Sequence, residues 1–359
     1  MTTFELHKLA DLTTADWALW QDIQERSGVY ESPYFRPEFA RAVAAVRGDV
    51  EIARLLQAGQ TVGFFPFQRG SLNLGKPLGG KLSDYHGPLV RQGVQFDPQA
   101  LLAACRLACW DFDHLVTATD SLAAATTTRE TSPQLDLSEG FDSYVLRRRE
   151  ARSDTVSRQG QKTRKLSREI GPLAFAFDAT DDDEAYRLLR EWKSAQLVAT
   201  GMADVFAFPW TLELLAKLRE HQGPEFSSTM SVLRCGQKVA AACLWLRSRS
   251  VLHAWFTAYN PDLERYSPGL ALFIKMAKAA PDQGIRKIDL GKGAERYKSS
   301  LASGGVEVGE GSISCPSLAT WMRSSWRGAR DWVNRSPLKN TVRLPDKLVR
   351  PIREWFAYH

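Results

Sequence analysis

The stretch from Arg265 to Gly269 places a serine, a proline and a glycine directly before an apolar, helix-like run. Ser267 is a favourable N-cap residue, and Pro268 suits the first turn of a helix, where its missing N–H costs nothing. Gly269 is a poor helix former whose usual merit is that another group can approach its backbone closely. Because the N–H groups at a helix N-terminus attract anions, the stretch could seat a phosphate. A well-capped structural helix is the alternative.

His253 lies in the apolar run VLHAWFTAY. Strand alternation predicts that Trp255, Thr257 and Tyr259 share its face of the strand. A histidine titrates near neutral pH, so His253 could be the general base for an amine or hydroxyl acceptor, with Trp255 as part of the substrate surface. The competing interpretation is a hydrogen-bonded histidine in the core.

His86 belongs to the turn-like segment SDYHG at residues 83–87. Loops carry functional residues more often than cores do. We therefore expect His86 to line a substrate cleft facing the second domain, with Asp84 and Tyr85 as substrate-binding neighbours. A turn held by hydrogen bonds to the aspartate side chain is the structural alternative.

The run IDLGKGAERYK ends a strand-like segment in Gly291, Lys292 and Gly293 and brings Tyr297 to the start of a helix. Glycines at a strand end let the chain turn away from its neighbour. Asp289 alternates with apolar residues on the strand, so we expect it to be partly buried, at the substrate or in an ion pair. The candidate ion-pair partners are Arg286, Lys292 and Arg296.

The elements that must position these residues follow one pattern in both halves of the chain. The first half reads as helices, a hairpin turning at residues 58–60, then a helix and a strand. The second half reads as a long Arg- and Lys-rich helix over 141–171, helices over 181–200 and 209–221, a hairpin, a strand, the helix after Ser267, a short strand and another helix. This order predicts an α/β (α+β) protein built from two copies of one mixed architecture.

Length and composition agree with two domains. The chain has 359 residues, of which 44% are hydrophobic, enough for two ordinary cores. Its net charge of +6 is matched by residues 316–359 alone, which hold nine Lys and Arg against three Asp and Glu. Because the rest is near neutral, the composition argues against a protein that coats nucleic acid.

Five cysteines are scattered along the chain without the spacing of a metal site. We expect buried, reduced thiols and no bound metal. A Ser/Thr-rich gap at residues 117–132 is the best domain boundary. The predicted domains are 1–135 and 136–312, followed by a basic, Trp- and Arg-rich helical tail at 313–359.

The paired stretches AYNPDLERYSPGLAL and GIRKIDLGKGAERYKSSLA, in this order of elements, resemble the acyl-CoA-binding core of the GNAT acyltransferase superfamily. More narrowly they resemble the CelD-like family, named for cellulose biosynthesis and related to the Fem-type aminoacyl transferases of peptidoglycan assembly. The resemblance is strongest over about residues 140–312 and extends weakly to SPYFRPEF and SDYHGPL. It implies two tandem GNAT-like domains with mixed, mostly antiparallel sheets flanked by helices.

The same resemblance implies roles for the residues above. The diphosphate of CoA would rest on the loop Arg265, Tyr266, Ser267, Pro268 and Gly269, although the usual GNAT loop carries more glycines.

The strand end at Gly291, Lys292 and Gly293 would hold the pantetheine arm and the thioester. Tyr297 is similar to the GNAT general acid that protonates the departing thiolate, and Lys298 would stabilise the tetrahedral intermediate. A core aromatic and a solvated lysine are the structural alternatives.

The implied function is transfer of an acyl group from acyl-CoA (acetyl-CoA or longer) to an amine or hydroxyl of a sugar, polysaccharide or other envelope-related acceptor. The acceptor would attack the thioester directly, since no Gly-x-Ser-x-Gly nucleophile elbow is present. A Fem-type, tRNA-dependent aminoacyl transferase is one alternative, although the chain lacks a long coiled-coil-like insertion. A degenerate, non-enzymatic GNAT scaffold for polysaccharide synthesis is the other.

The N-terminal sequence lacks the order of a signal peptide, and no apolar run approaches the roughly 20 residues that cross a bilayer. We expect a cytoplasmic protein whose tail, residues 316–359, could contact the anionic inner face of the membrane. The basic helix at 144–168 is either a solvated face or a guide for an acidic polysaccharide, a lipid-linked sugar phosphate or tRNA.

Overall fold

The computed structural model describes residues 1–293 and 295–315, so the predicted tail lies outside the described residues from position 316 onward. The strands are β1 (Thr2–Lys8), β2 (Val50–Gln57), β3 (Gln60–Arg69), β4 (Leu74–Pro77), β5 (Leu89–Val90), β6 (Cys109–Leu115), β7 (Thr126–Asp136), β8 (Leu173–Ala176), β9 (Phe226–Cys235), β10 (Lys238–Ser248), β11 (Val251–Tyr259), β12 (Lys287–Asp289) and β13 (Gly304–Ser314). The helices are α1 (Thr14–Arg26), α2 (Pro37–Val46), α3 (Pro98–Ala104), α4 (Gly140–Glu150), α5 (Thr155–Glu169), α6 (Asp183–Ala199), α7 (Pro209–Arg219), α8 (Pro268–Ala279) and α9 (Arg296–Leu301).

The chain divides into two compact units, each made of separate stretches of sequence. Unit 1 comprises residues 1–30, 40–129 and the described residues from 308, and unit 2 comprises residues 31–39 and 130–307. The domain boundaries proposed from the sequence, at 135 and 312, stay a prediction. The mixed α/β architecture is confirmed, because mixed sheets with predominantly antiparallel pairing and flanking helices make up the described chain.

In unit 1, strands β1, β2, β3 and β4 pair antiparallel in that order, and β4 then pairs parallel with β6. The predicted β2–β3 hairpin is confirmed. It turns at Ala58 and Gly59, whose φ angles are 49° and 77°. Two successive positive φ values identify the type I′ turn that two-residue hairpin loops favour, because its twist matches the strands.

Helix α1 of unit 1 begins at a capping box that the sequence encodes locally. Thr13 Oγ1 accepts a hydrogen bond from the Asp16 N–H at 3.2 Å, and the Asp16 carboxylate accepts one from the Thr13 N–H at 2.9 Å. These reciprocal bonds satisfy backbone donors that the first helical turn leaves without a partner.

In unit 2, β7 pairs antiparallel with β12, β12 pairs parallel with β11, and β11, β10, β9 and β8 continue antiparallel. The parallel pair is short. Only residues 251–253 of β11 face β12, which ends at Asp289, whereas β11 continues to Tyr259. An opening therefore lies beyond the last residue pair of these two strands.

The single long basic helix predicted over 141–171 is wrong in one respect, because the structure has two helices there, α4 and α5. Arg152 lies between them with a φ of 57°, in the left-handed region. A residue with this backbone conformation cannot continue a right-handed helix, so the chain changes direction before α5 begins.

The core of unit 2 forms where β10 packs on α8. Its members include Trp245 and Cys243 from the strand and Phe273 from the helix. Trp245 is fully buried, and its indole N–H donates to Ser231 Oγ at 2.7 Å, so the buried donor is satisfied. This packing fixes the helix that starts at Pro268 against the sheet.

The cysteines are free thiols, as predicted. Cys105, Cys109, Cys235 and Cys243 are buried and Cys315 is half-buried. Cys105 follows the end of α3, and Cys109 is the first residue of β6.

Candidate functional site

The last residue pair between β11 and β12 consists of His253 and Asp289. The distance from His253 Nδ1 to Asp289 Oδ1 is 3.4 Å, and both side chains are buried. A carboxylate beside an imidazole orients the ring and stabilises its protonated form. The pair therefore places a carboxylate beside a buried imidazole at the point where the two strands separate.

Asp289 is held by hydrogen bonds that the sequence analysis missed. Its carboxylate accepts hydrogen bonds from Ser132 Oγ at 2.9 Å and Gln134 Nε2 at 2.6 Å, both on β7. It also accepts one from the Gly291 N–H at 2.8 Å, which forms the turn that ends β12. No local pattern could reveal the two β7 donors, because they are more than 150 residues away in sequence.

The aromatic ring of Tyr34 packs on His253, and Trp255 lies next to Tyr34. The ring of Tyr34, from the short stretch of unit 2 at residues 31–39, meets the His253 ring edge-on with centroids 5.0 Å apart. Trp255 lies 6.4 Å from the Tyr34 ring, and His253 itself has 0% exposure. His253 is thus closed off from solvent in this structure.

A β-bulge corrects the predicted face of β11. Phe256 pairs with Leu244 whereas Ala254 pairs with Trp245, so Trp255 is an extra residue in the strand. Alternation restarts after the bulge, and Thr257 and Tyr259 therefore point to the opposite face from His253. The prediction of one common face is wrong for Thr257 and Tyr259.

Helix α8 begins where the sequence predicted, but Ser267 does not cap it in the expected way. Pro268 is the first helical residue, and Ser267 is the N-cap with a φ of 53°, in the left-handed region. Its hydroxyl does not cap the helix. Instead it accepts a hydrogen bond from Lys162 Nζ on α5 at 3.0 Å, so a positive charge lies beside the helix N-terminus. Gln159 supports the same loop by donating to the Ser267 carbonyl at 3.2 Å.

Gly269 is buried near the side chain of Tyr259. A Cβ added to Gly269 would lie 3.6 Å from Tyr259 Cδ1, which is an ordinary van der Waals contact. The packing around Gly269 thus has room for alanine, so it gives no structural reason for glycine at this position.

Arg265 and Tyr266 form the rest of the predicted loop. The Arg265 side chain is 68% exposed, with its guanidinium 4.7 Å from the centre of the Tyr266 ring and 3.4 Å from Glu169. Tyr266 is buried and donates its hydroxyl hydrogen bond to Glu169. Arg265 is therefore accessible to an anion, whereas Tyr266 is part of the packing.

The chain at the end of β12 adopts positive φ angles at Gly291 and Gly293, which favour glycine. Their φ angles are 71° and 153°, which other residues adopt only with strain. Lys298 holds the same turn, since its Nζ donates to the Lys292 carbonyl at 3.1 Å and lies 3.2 Å from Glu295 Oε2. Lys298 is buried, so the alternative of a solvated lysine is wrong.

Tyr297 projects from α9 into the core of unit 2. Its ring stacks on Phe273 with centroids 5.7 Å apart. Burial raises the pKa of the Tyr297 hydroxyl, and the negative charge of Glu295 adds to the shift, so the hydroxyl carries its proton at neutral pH. A tyrosine in this state can donate a proton but cannot act as a base.

His86 has a structural task in unit 1. It is buried, and its Nε2 accepts hydrogen bonds from the backbone N–H groups of Asp113 at 3.2 Å and His114 at 3.1 Å. Burial lowers the pKa of His86 to about 3, so the ring is neutral. Tyr85 is buried and Asp84 is half-buried in the same segment, where Ser83 Oγ donates to the Tyr85 carbonyl at 2.8 Å.

Unit 1 also contains a cavity of about 600 Å³ where β4 and β6 separate. Its lining includes Lys76, Lys81 and Asp111, and none of the site residues expected from the sequence. Lys81 is paired with Asp113 at 2.6 Å. Because its charges are of both signs, this cavity does not define a ligand class.

Two features are absent from the part of the chain that the structure describes. No group of three or more His, Cys, Asp or Glu side chains is arranged to hold a metal ion there. Among the helices of residues 1–293 and 295–315, none combines the length and the apolar character that crossing a membrane requires.

Residues 154–299, which contain α8, β12 and the start of α9, match the family model described as an acetyltransferase (GNAT) domain. FemX has a similar structure, with 9% identity, a TM-score of 0.53, and coverage of 89% of this chain and 99% of FemX. The C-terminal DUF2156 domain of a protein described as a lysylphosphatidylglycerol synthetase, from Agrobacterium fabrum, has 12% identity, a TM-score of 0.50, and coverage of 87% and 95%. No curated protein matches the sequence.

The chain therefore carries a GNAT-type acetyltransferase domain at residues 154–299. The presence of this domain supports the conclusion that the protein is an acyl-transferring enzyme. Domains of this type use acyl-CoA as the donor. At 9% and 12% identity, the two structures support the fold alone. The narrower CelD-like resemblance stays a prediction.

Proposed function

We propose that this protein transfers an acyl group from acyl-CoA to an amine or hydroxyl of a sugar, polysaccharide or other envelope-related acceptor. The observation that carries the proposal is the opening between β11 and β12, which lies within the matched domain and is followed by a helix N-terminus beside a lysine. A thioester fits such an opening, and a diphosphate fits such a helix start.

The diphosphate of CoA binds at the start of α8. The N–H groups of Gly269 and Leu270 have no partner four residues back, because the helix begins at Pro268. Lys162 Nζ at Ser267 adds a positive charge, and Arg265, whose exposed guanidinium lies 3.4 Å from Glu169, adds a second. An anion here gains both the helix dipole and two cations.

The thioester lies in the opening next to the turn at Gly291, Lys292 and Gly293. The acceptor nitrogen or oxygen attacks the thioester carbonyl carbon, and the carbon–sulfur bond then breaks. Tyr297 gives its hydroxyl proton to the departing sulfur. Lys298 acts as a positioning residue, because its ammonium group is already bonded to the Lys292 carbonyl and paired with Glu295.

His253 takes the proton that the acceptor loses, and Asp289 orients the imidazole and stabilises its charge. Since Tyr34 packs on His253 and the His253 side chain has no exposed surface in this structure, the step requires acceptor binding to uncover His253. His86 has no part in this mechanism, because its ring is occupied by backbone donors in unit 1.

The experiment is a measurement of CoA thiol release from acetyl-CoA, with a panel of amino sugars and neutral and acidic oligosaccharides. We expect release to depend on one acceptor class and to be insensitive to ribonuclease. Activity that requires an aminoacyl-tRNA and is lost after ribonuclease treatment would instead support the Fem-type alternative. Failure to bind acetyl-CoA at all would support a non-enzymatic scaffold.

A further inference from the structure

The outer face of α4 and α5 carries a line of arginines that the acyl-transfer site does not use. We define the arginine strip as Arg149, Arg152, Ser157, Gln161, Arg164 and Arg168, all of which are exposed. The strip lines two cavities. One, of about 360 Å³, lies where α4 meets α5, and the other, of about 450 Å³, lies along α5.

The arginines of the strip carry only positive charge, and the acidic residues nearby are Asp154, which lines the first cavity, and Glu169, which ends α5. Residues 155–168 contain five Lys or Arg and no Asp or Glu. Within the described chain, none of the four strip arginines forms a salt bridge, whereas the neighbouring Arg158 and Lys165 pair with Asp154 and Glu169. Because the two nearby acids pair with Arg158 and Lys165, the four arginines of the strip are suited to an anionic partner.

The strip is too long for a single anionic group. Along α5, the residues that line the first cavity are on average about 9 positions before those that line the second. At the rise of a helix, this separation is about 14 Å. Arg164 and Arg168 are one turn apart, or about 6 Å. The surface therefore fits a linear molecule with charges repeated along its length.

The side chains between the arginines favour an acidic polysaccharide among the linear or extended polyanions. Ser153, Ser157, Gln161 and Ser167 line the two cavities and can exchange hydrogen bonds with sugar hydroxyls. No aromatic side chain lines either cavity, so the surface has no platform on which bases could stack. The cavity along α5 has no apolar lining residue, and the other cavity has only Val145 and Val156, so the strip does not form the broad apolar side that buries a helix in a membrane.

The distance between the arginines also favours a polysaccharide over a nucleic acid. One strand of a nucleic acid has a charge about every 3.4 Å, whereas Arg164 and Arg168 are about 6 Å apart. We propose that the arginine strip binds a linear acidic polysaccharide, with carboxylate groups at the arginines and hydroxyls at the serines and Gln161. This inference is independent of the proposed acyl transfer, because it concerns binding at residues outside that mechanism.

The test uses the full-length protein and fluorescently labelled polyuronate oligomers of defined length, with binding followed by anisotropy at 50 and 200 mM salt. The variant is Arg164→Gln with Arg168→Gln. The matched control is Arg187→Gln with Lys217→Gln, which removes two positive charges from α6 and α7 of the same unit. Circular dichroism verifies that both variants are folded, and Arg149→Gln provides a second variant in the other cavity.

We expect the strip variant to weaken polyuronate binding roughly tenfold, which is about 1.4 kcal/mol, and the control to change it less than twofold. A uronate dimer too short to reach both cavities should bind more weakly than a long oligomer, and a neutral dextran should not bind. Equal losses in the strip and control variants would overturn the proposal. So would tighter binding of RNA, or of phosphatidylglycerol vesicles, with the same sensitivity to the strip variant.

Discussion

Tyr297→Phe removes one oxygen from the proposed site and leaves the aromatic ring stacked on Phe273. Because a positioned general acid contributes about 10²–10⁴-fold in rate, the variant should lose that factor in kcat. At 1.36 kcal/mol for each tenfold change, the loss is about 2.7–5.4 kcal/mol of transition-state stabilisation. The affinity for acyl-CoA should hardly change, since only the proton is lost.

The assay follows CoA thiol release for the wild-type protein and the variant on the acceptor that the panel identifies. Burial raises the pKa of Tyr297 above its ordinary value of 10, so the acid stays protonated across the neutral range. Deprotonation of Tyr297 should therefore lower the wild-type rate only above about pH 10. The pH–rate profile of the variant should lack this decrease at basic pH.

The matched control is Tyr144→Phe, which also removes a hydroxyl from the core of unit 2. The Tyr144 hydroxyl donates to the Leu301 carbonyl at 2.7 Å, so its loss should lower the free energy of unfolding by about 1 kcal/mol and leave kcat unchanged. If Tyr297→Phe behaves like this control, with near-normal turnover and a lower melting temperature, Tyr297 is a structural residue and the proton-transfer reasoning is refuted.

Three further outcomes follow from the contacts. Asp289→Ala should lower the free energy of unfolding by about 3 kcal/mol in a urea titration, since it leaves the buried Ser132 and Gln134 side chains without their acceptor; an unchanged midpoint would contradict the buried network. Lys298→Met should lower the melting temperature together with kcat, because it frees the turn; a loss of kcat at unchanged melting temperature would instead assign Lys298 a direct catalytic role. Burial lowers the pKa of His86 from 6.5 to about 3, so its contribution to stability is present above pH 6.5 and is lost as the pH falls toward 3. Wild-type protein should therefore lose about 2 kcal/mol more than His86→Gln between pH 7 and pH 5 in urea titrations, and equal losses would show that His86 is not the titrating group.

The sequence predicted those features whose signals are local. The hairpin at Ala58 and Gly59, the helix beginning at Pro268 and the glycine turn at Gly291 each depend on neighbouring residues and on well-known backbone preferences. The order of elements was enough to predict the mixed α/β architecture. The position of Tyr297 at the start of α9 was predictable because only a few residues separate it from that turn.

The features that the sequence could not predict depend on distant parts of the chain or on single backbone angles. Ser132 and Gln134 reach Asp289 only because β7 pairs with β12. The bulge at Trp255 reverses strand alternation, and no residue type marks it in advance. The left-handed Arg152 divides a run whose composition is helical throughout, because a positive φ at an arginine has no sequence signal.

The central claim is that acyl-CoA binds at the start of α8, and calorimetric titration with acetyl-CoA tests it most directly. The variant is Lys162→Met, which removes the charge beside Ser267, and its matched control is Lys217→Met, an exposed lysine of α7 paired with Glu220. We expect one site per chain, with affinity reduced roughly tenfold by Lys162→Met and unchanged by Lys217→Met. Absence of acetyl-CoA binding to the folded wild-type protein, or equal affinities for all three proteins, would contradict it.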